Sequence, residues 1–492
     1  VSAQLDAVVV GAGPNGLAAA VVLSAAGLGV RVYELGPTPG GGCRTEELTL
    51  PGFRHDVCSS GHPLAVASGF FRRFDLPSRG VRLLQPEVAF AHPLEGGRAG
   101  AVLPSLPATA AGLGEDAERW QRLFGPILQH HAAITDAALS SMRAVPGHPL
   151  AVGRFGLLAV RSAAALSRRF STDEARGLFA GVAAHGMVPL DRPVTGGVGL
   201  LLAMLAQAVG FPVVEGGSAG LVSAMVEAIE ARGGELRLGE RVTSLAELPP
   251  AKAVLLDVTP RALVELAGDL LGPRQRRRAA RFGYGAGVCK VDWALDGPVP
   301  WRAEACRRAG TVHVGGTFEE VAASEADVAA GRHPERPYVL AMQPSVVDPT
   351  RAPAGKHTLW AYCHVPAGST LDRSEAIGRQ IDRFAPGWRD LVLATSVRTA
   401  AEAEEHDPNY VGGDIGAGTQ DLRQTFARPA ATWNPYRTGV PGVYLCSSST
   451  APGPGVHGRC GELAAMSALR DVFGLKRPPD IGPAGSQPHR RG

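Results

Sequence analysis

The chain has 492 residues, too many for one simple core, so two or three domains are expected. A formal net charge of +3 lacks the strongly basic footprint of a nucleic-acid-binding protein and leaves contact with a membrane surface open. Seven dispersed cysteines with no C-x-x-C spacing speak against a redox-active dithiol and a structural zinc, and suit a reducing cytoplasm.

The first element is DAVVV, a β-branched run ending at Gly11 that predicts a buried parallel strand. It begins so close to the first residue that no signal peptide is expected. The turn GAGPNG follows, with G-x-G-x-x-G on Gly11, Gly13 and Gly16. LAAAVVLSAAG predicts a helix stopping at Gly27, and VRVYE a second strand ending in Glu34, about 20 residues beyond the glycines. Strand, turn, helix and terminal acid together form a dinucleotide-binding fingerprint. Gly11 permits the tight turn, Gly13 lets backbone approach a pyrophosphate, and Gly16 lets helix and strand pack closely. The helix N-terminus offers free N–H groups and a positive dipole end. Glu34 can accept both hydroxyls of an adenosine ribose and would repel a 2′-phosphate, which disfavours NADP. NAD and FAD both stay open at this point.

From about 86 to 212 the composition predicts mostly helix. His130-His131 falls there with no carboxylate at ligand spacing, so no metal site is expected. In RFGLLAVRSAAALSRRF, Arg154, Arg161 and Arg168 recur every seven residues, with Phe155, Leu158, Leu166 and Phe170 between them. This reads as a surface helix of the second domain; the alternative is a basic amphipathic helix on an anionic membrane. VTGGVGLLLAMLAQAVGFPVV carries no charge and is nearly as long as a bilayer crossing. It opens on Gly196-Gly197, holds Gln207 and breaks at Gly210 and Pro212. It therefore predicts a buried helix over about 200–209 and then a short strand, not a membrane span. The stretch 213–282 returns to an α/β pattern. From 283 to 430, runs such as GVCKVDWAL, PYVLAMQPS and HTLWAYCHV predict a mostly β sheet with helices. GVYLCSSST is again a buried strand, running into a glycine turn and the helix GELAAMSALRDVFGL. The nucleotide-binding pieces are thus 1–85, 213–282 and 431–476, with a second domain in 86–212 and 283–430. The tail 477–492, rich in proline, glycine and charge, is expected to be disordered.

GAGPNGLAAA, ELGPTPGGGCRTEELTLPGFRHDVCSSGHPLA, GGSAGLVSAMVEAIEARGGE and PGVYLCSSSTAPGPGVHGRCGELAA resemble the phytoene dehydrogenase-related FAD-dependent oxidoreductases. The likeness covers nearly the whole chain apart from the tail. It implies an α/β, two-domain flavoprotein of the flavin amine oxidase and phytoene desaturase type. A discontinuous Rossmann-like FAD-binding domain would hold an inserted substrate domain of mixed β-sheet and helices. Carried over by position, Gly11, Gly13, Pro14, Asn15 and Gly16 would face the FAD pyrophosphate, and Glu34 and Leu35 the adenosine. Gly40 and Gly41 match a second glycine pair, and Arg44 and Thr45 follow as the basic residue near the phosphates and its neighbour. Gly61, His62 and Pro63 match the stretch passing the isoalloxazine ring, and Val242 the position whose backbone meets adenine. Thr450, Pro452, Gly455, Val456 and His457 match the last motif, where a helix N-terminus points at the flavin C2 carbonyl. The chain departs from carotenoid desaturases in placing Ser448 where they have an acid. That speaks against a carotene substrate but still allows a hydrogen bond to the ribityl chain.

The implied chemistry is hydride transfer from a small, largely apolar organic substrate to flavin N5, with oxygen or a quinone as the final acceptor. Backbone N–H groups at Gly455–Gly458 would stabilise charge developing at N1 and the C2 carbonyl, with Arg459 a possible addition. His457 and His62 are the acid–base candidates, the alternative for each being a packing role. Asp56 reads as a brace for the loop after it. Three rival readings are a flavin-dependent isomerase without net redox, a non-catalytic FAD-bearing interaction protein and an NAD-only dehydrogenase. The expected location is cytoplasmic, with peripheral membrane contact as the alternative noted above.

Overall fold

AVVV at Ala7–Val10 is buried along its whole length and lies between two parallel neighbours, Val30–Tyr33 and Ala253–Leu256. Glu235–Arg237 and Val443–Leu445 complete a five-stranded parallel sheet in the order 443–445, 253–256, 7–10, 30–33, 235–237. Its strands come from the beginning, middle and end of the chain. Burial on both faces explains why Ala7–Val10 and Ala253–Leu256 read as unbroken apolar runs rather than alternating ones. The structure, a computed structural model, describes residues 5–141 and 145–483.

Two helices on this sheet set the geometry of the site. Pro14–Ala25 leaves the glycine turn and Arg459–Val472 leaves the last motif. They cross so closely that a Cβ on Gly461 would lie 1.8 Å from the Asn15 carbonyl oxygen. Only glycine allows that approach, which brings the two helix starts side by side.

A second sheet has seven strands, in the order 392–398, 287–295, 357–365, 339–342, 309–314, 88–93, 99–102. Its pairings are antiparallel except for Val88–Pro93 beside Ala309–Val314. Two of its strands, Val88–Pro93 and Ala99–Val102, lie in the stretch expected to be mostly helical. They are short and followed at once by helix, so the alanine-rich composition masked them. One face of this sheet carries the helices Asp173–Ala183 and Thr195–Ala208. The other packs Trp301, Trp388 and the helix Ser374–Phe384.

Thr195–Ala208 begins before the predicted start, because Gly196 and Gly197 sit inside the helix. They are there for closeness: Cβ atoms on them would lie 2.8 Å from the Arg161 and Ala159 carbonyls. Among the described residues no helix is long and apolar enough to cross a membrane. The tail also differs in part from expectation. Ile481 is 2% exposed in the core under the parallel sheet, and its carbonyl accepts from Arg79 Nη2 at 3.0 Å. One apolar anchor outweighs the composition around it. Residues 484–492 lie outside the described residues.

Candidate active site

A cleft of ≈ 510 Å³ runs along the carboxyl ends of the parallel strands, the position where open α/β sheets bind ligands. Glu34, Leu35 and Val242 line one end. Gly11, Gly13, Pro14, Asn15, Gly41 and Arg44 line the middle, and Ser448, Gly455 and Val456 the other end. Gly16, Gly40, Thr45, Gly61, His62, Thr450, Pro452 and His457 do not line the cleft.

The middle suits a pyrophosphate. The Gly13 and Asn15 N–H groups have no protein acceptor among the described residues, and they open the helix Pro14–Ala25. Arg44 faces the same turn. Its Nε donates to the Gly41 carbonyl at 3.0 Å and its Nη2 to His406 Nε2. Arginine only donates, so His406 accepts at that nitrogen and is neutral; burial, with Arg398 and Arg44 nearby, depresses its pKa to about 4. Glu34 is held rigidly, Oε2 accepting from Ala12 N and Oε1 from Gly36 N, each at 2.7 Å. A carboxylate has about four acceptor positions, which leaves two for ribose hydroxyls.

Asp257, which sequence reasoning missed, sits directly under the glycine turn. Its Oδ2 accepts from Gly16 N at 2.8 Å, and a Cβ on Gly13 would meet that same oxygen at 2.7 Å. Burial, reinforced by the carboxylates of Asp407 and Glu34, pushes its pKa up to about 7. Gly13 thus makes room for two things, a ligand on one side and a buried acid on the other.

At the far end the turn 453–458 leads into the helix Arg459–Val472. His457 does not match the expected acid–base role. Its Nδ1 accepts from Arg459 N at 3.1 Å and its Nε2 donates to the Gly453 carbonyl at 3.1 Å. Those partners fix one neutral tautomer and leave no ring nitrogen free, and burial lowers the pKa to about 4. It caps and braces the turn. His62 is buried behind the cleft, with Nε2 2.8 Å from Ser218 Oγ and a pKa lowered to about 4 by burial. Arg459 turns away to Glu462 and the Leu139 carbonyl. Ser448 Oγ accepts from Asn15 Nδ2 at 3.2 Å, tying the last motif to the first helix.

Asp56 is the brace that the sequence suggested, on a larger scale. It accepts from Thr45 Oγ1 at 2.8 Å and Ser218 N at 2.9 Å, and also binds Ser60 and Arg351. Arg351 and Asp56 are both fully buried. Burial alone would raise the Asp56 pKa, but the Arg351 guanidinium holds it below the ordinary value. His130 and His131 sit at the junction between two helices, and no metal-binding cluster exists among the described residues.

Sequence reasoning also missed the loop 406–418, which ends in NYVGGDIGAG. Asn409, Tyr410, Ile415 and Ala417 line the cleft beside Cys58. Asp414 organises the loop by accepting from Gly285, Gly416 and Gly418 N–H groups. Buried Arg428 binds the carbonyls of Gly416, Ala417 and Gly418 and, through Nε, that of Ser448. Beyond Cys58 a small annex is lined by Val288, Lys290, Tyr362 and Ile415. Lys290 is 6% exposed, pairs with Asp292, and lies 5.0 Å from the Trp360 ring centroid. K-x-D in an otherwise apolar strand puts both charges on one face, and that was the available signal. The same face continues through Tyr362 to Leu340 and through Trp360 to Met342.

Comparison with known proteins agrees with this architecture. A family model described as NAD(P)-binding Rossmann-like domain matches residues 9–74. The chain is 26% identical to the Mus musculus protein named pyridine nucleotide-disulfide oxidoreductase domain-containing protein 2, over 95% of this chain and 94% of that one. Among solved structures, an oxidoreductase from Methanosarcina mazei gives a TM-score of 0.63 at 18% identity, covering 95% of this chain and 100% of that one. Putrescine oxidase bound to putrescine gives 0.63 at 19%, covering 96% and 100%. The expected fold class holds: a Rossmann-like parallel sheet joined to a separate, mainly antiparallel sheet. All seven cysteines are free.

Proposed function

We propose that this homologue of pyridine nucleotide-disulfide oxidoreductase domain-containing protein 2 is an FAD-dependent oxidoreductase acting on a largely apolar organic molecule. The single observation behind the reading is the continuous cleft from Glu34 and Val242, past the free N–H groups of Gly13 and Asn15, to Gly455 and Val456. An NAD site needs only the first part of that path; the second part, ending at another helix start, suits a flavin. Glu34 would hold the ribose, Gly13, Asn15 and Arg44 the pyrophosphate, and Ser448 the ribityl chain. When bound, FAD supplies hydride acceptance at N5. The N–H groups around Gly455 and Val456 would stabilise negative charge on the ring edge facing them. Tyr362, Leu340 and Met342 provide an apolar floor on the second sheet, and Lys290 is the buried cation beside it. Oxygen or a quinone is the proposed acceptor.

The test is the visible spectrum of the purified protein, followed by the supernatant after heating. Flavin bands with released FAD support the reading. A colourless protein that takes up no added FAD ends it. If FAD is bound, anaerobic bleaching by apolar amines, alcohols or alkenes identifies the donor class. Turnover only after prior reduction, with no oxygen consumed, would replace net oxidation by isomerisation.

A further inference from the structure

The helix Pro149–Ala159 packs Val152, Phe155 and Leu158 inward against the helical layer. Its outer side is apolar as well. Leu150 is 81% exposed and Leu157 74%; flanking the helix, Val145 is 92% exposed and Val160 41%. Three of the four most exposed large apolar residues in the described chain fall in this one segment. At 3.6 residues per turn, Leu150, Arg154 and Leu157 lie within about 60° of one another, and Arg161 continues the line one turn on. Exposure this high means that the side chains stand clear of their neighbours instead of lining a groove.

Within 145–170 and 190–194 the only acid is Asp191. Arg154, Arg161, Arg168, Arg169 and Arg192 are exposed. None pairs with a carboxylate among the described residues, whereas Arg72, Arg98, Arg176 and Arg383 elsewhere on the surface do. Arg192 belongs to the same patch, because Val194 N donates to the Val160 carbonyl at 3.1 Å and Gly196 N to that of Arg161 at 3.1 Å. A ridge of protruding leucines and valines set among unpaired guanidinium groups has two needs: removal of apolar surface from water and a counter-charge. An anionic lipid surface meets both, with acyl chains for the leucines and phosphates for the arginines. We infer that the segment 145–161, with Arg168, Arg169 and Arg192, is a docking surface for an anionic bilayer, seating the protein peripherally without a spanning helix. This settles on the alternative that the seven-residue arginine spacing had left open, and it stands independently of the cofactor reading.

The test is flotation of the full-length protein, as purified, with phosphatidylcholine vesicles containing or lacking about a third phosphatidylglycerol. The expected result is recovery with the anionic vesicles only, weakened at high salt. Leu150→Glu/Leu157→Glu should lower the partition coefficient at least about tenfold. Arg154→Gln/Arg161→Gln should lower it about fivefold per arginine and flatten the salt dependence. These side chains are exposed, so unchanged melting temperatures check that the variants fold. Failure of the wild type to float with anionic vesicles overturns the inference, as does flotation that neither double variant reduces. Self-association abolished by Leu157→Glu, without vesicle binding, would assign the ridge to a second copy and equally overturn it.

Discussion

Asp257 couples the glycine turn to pH. Its pKa in the folded protein, about 7, lies above the ordinary 3.8, so the fold holds this proton more tightly than the unfolded chain does. The stability it contributes is complete below about pH 4 and is lost as pH rises to about 7, an effect on the order of 4 kcal/mol. Once ionised, it joins Glu34 and Asp407 beside the pyrophosphate position and repels an anionic ligand. Nucleotide retention should therefore fall as pH rises through about 7. Asp257→Asn keeps an oxygen for the Gly16 N–H and removes the charge. Its retention, read by flavin released on gel filtration, should be flat over that range; an unchanged slope would clear Asp257 of the role. His457 makes the opposite case, a histidine whose two partners leave it nothing to exchange. His457→Ala should cost about 1–2 kcal/mol in denaturant unfolding, through loss of the Arg459 cap and the Gly453 bond. It should leave the pH profile of flavin reduction in the same place, and a displaced profile would restore the acid–base role.

Two contacts between elements hold the cleft in shape. One is the crossing of Pro14–Ala25 with Arg459–Val472 at Gly461. The other is the buried pairing of the strand His55–Asp56 with the turn Pro349–Arg351. Asp56→Asn would leave Arg351 with Asp348, at 3.2 Å, as its one carboxylate. A buried guanidinium stripped of its nearest carboxylate is expected to destabilise the protein by about 3 kcal/mol. Thermal unfolding checks this, and a loss below about 1 kcal/mol would mean that Asp348 compensates. Legibility in the sequence follows the same division. The turn from Gly11 to Gly16 was readable because strand, glycines, helix and Glu34 are contiguous, each with its own local preference. The strands Val88–Pro93 and Ala99–Val102 were not, because alanine and glycine within them carry no β signal and the surrounding composition is helical. Gly196-Gly197 fell outside the predicted helix because the sequence does not display the Ala159 and Arg161 carbonyls that the helix must pass.

Across the whole molecule, what escaped the sequence is what distant segments assemble. Asp257 reaches the glycine turn only through the parallel register of Ala253–Leu256 with Ala7–Val10. Asn409 reaches Asp257 only because the loop after the second sheet folds back onto the first. Its Oδ1 accepts from Thr259 N at 3.1 Å and its Nδ2 donates to the Asp257 carbonyl at 3.1 Å. That amide is a polar clasp between the two halves at the middle of the cleft, and its two bonds fix which end is oxygen. Asn409→Asp keeps the acceptor, loses the donor and adds a carboxylate to Glu34, Asp257 and Asp407. FAD should then dissociate about tenfold faster, by the loss of one hydrogen bond and the added repulsion. The deficit should grow toward high pH, where Asp257 is ionised. Asn409→Ala loses both bonds but adds no charge, so its deficit should be nearly independent of pH. Dissociation followed by the rise of free-flavin fluorescence separates the two. Equal rates for wild type, Asp and Ala would mean that the halves are held together elsewhere, by contacts such as the buried Arg351–Asp56 pair and Arg261–Glu404.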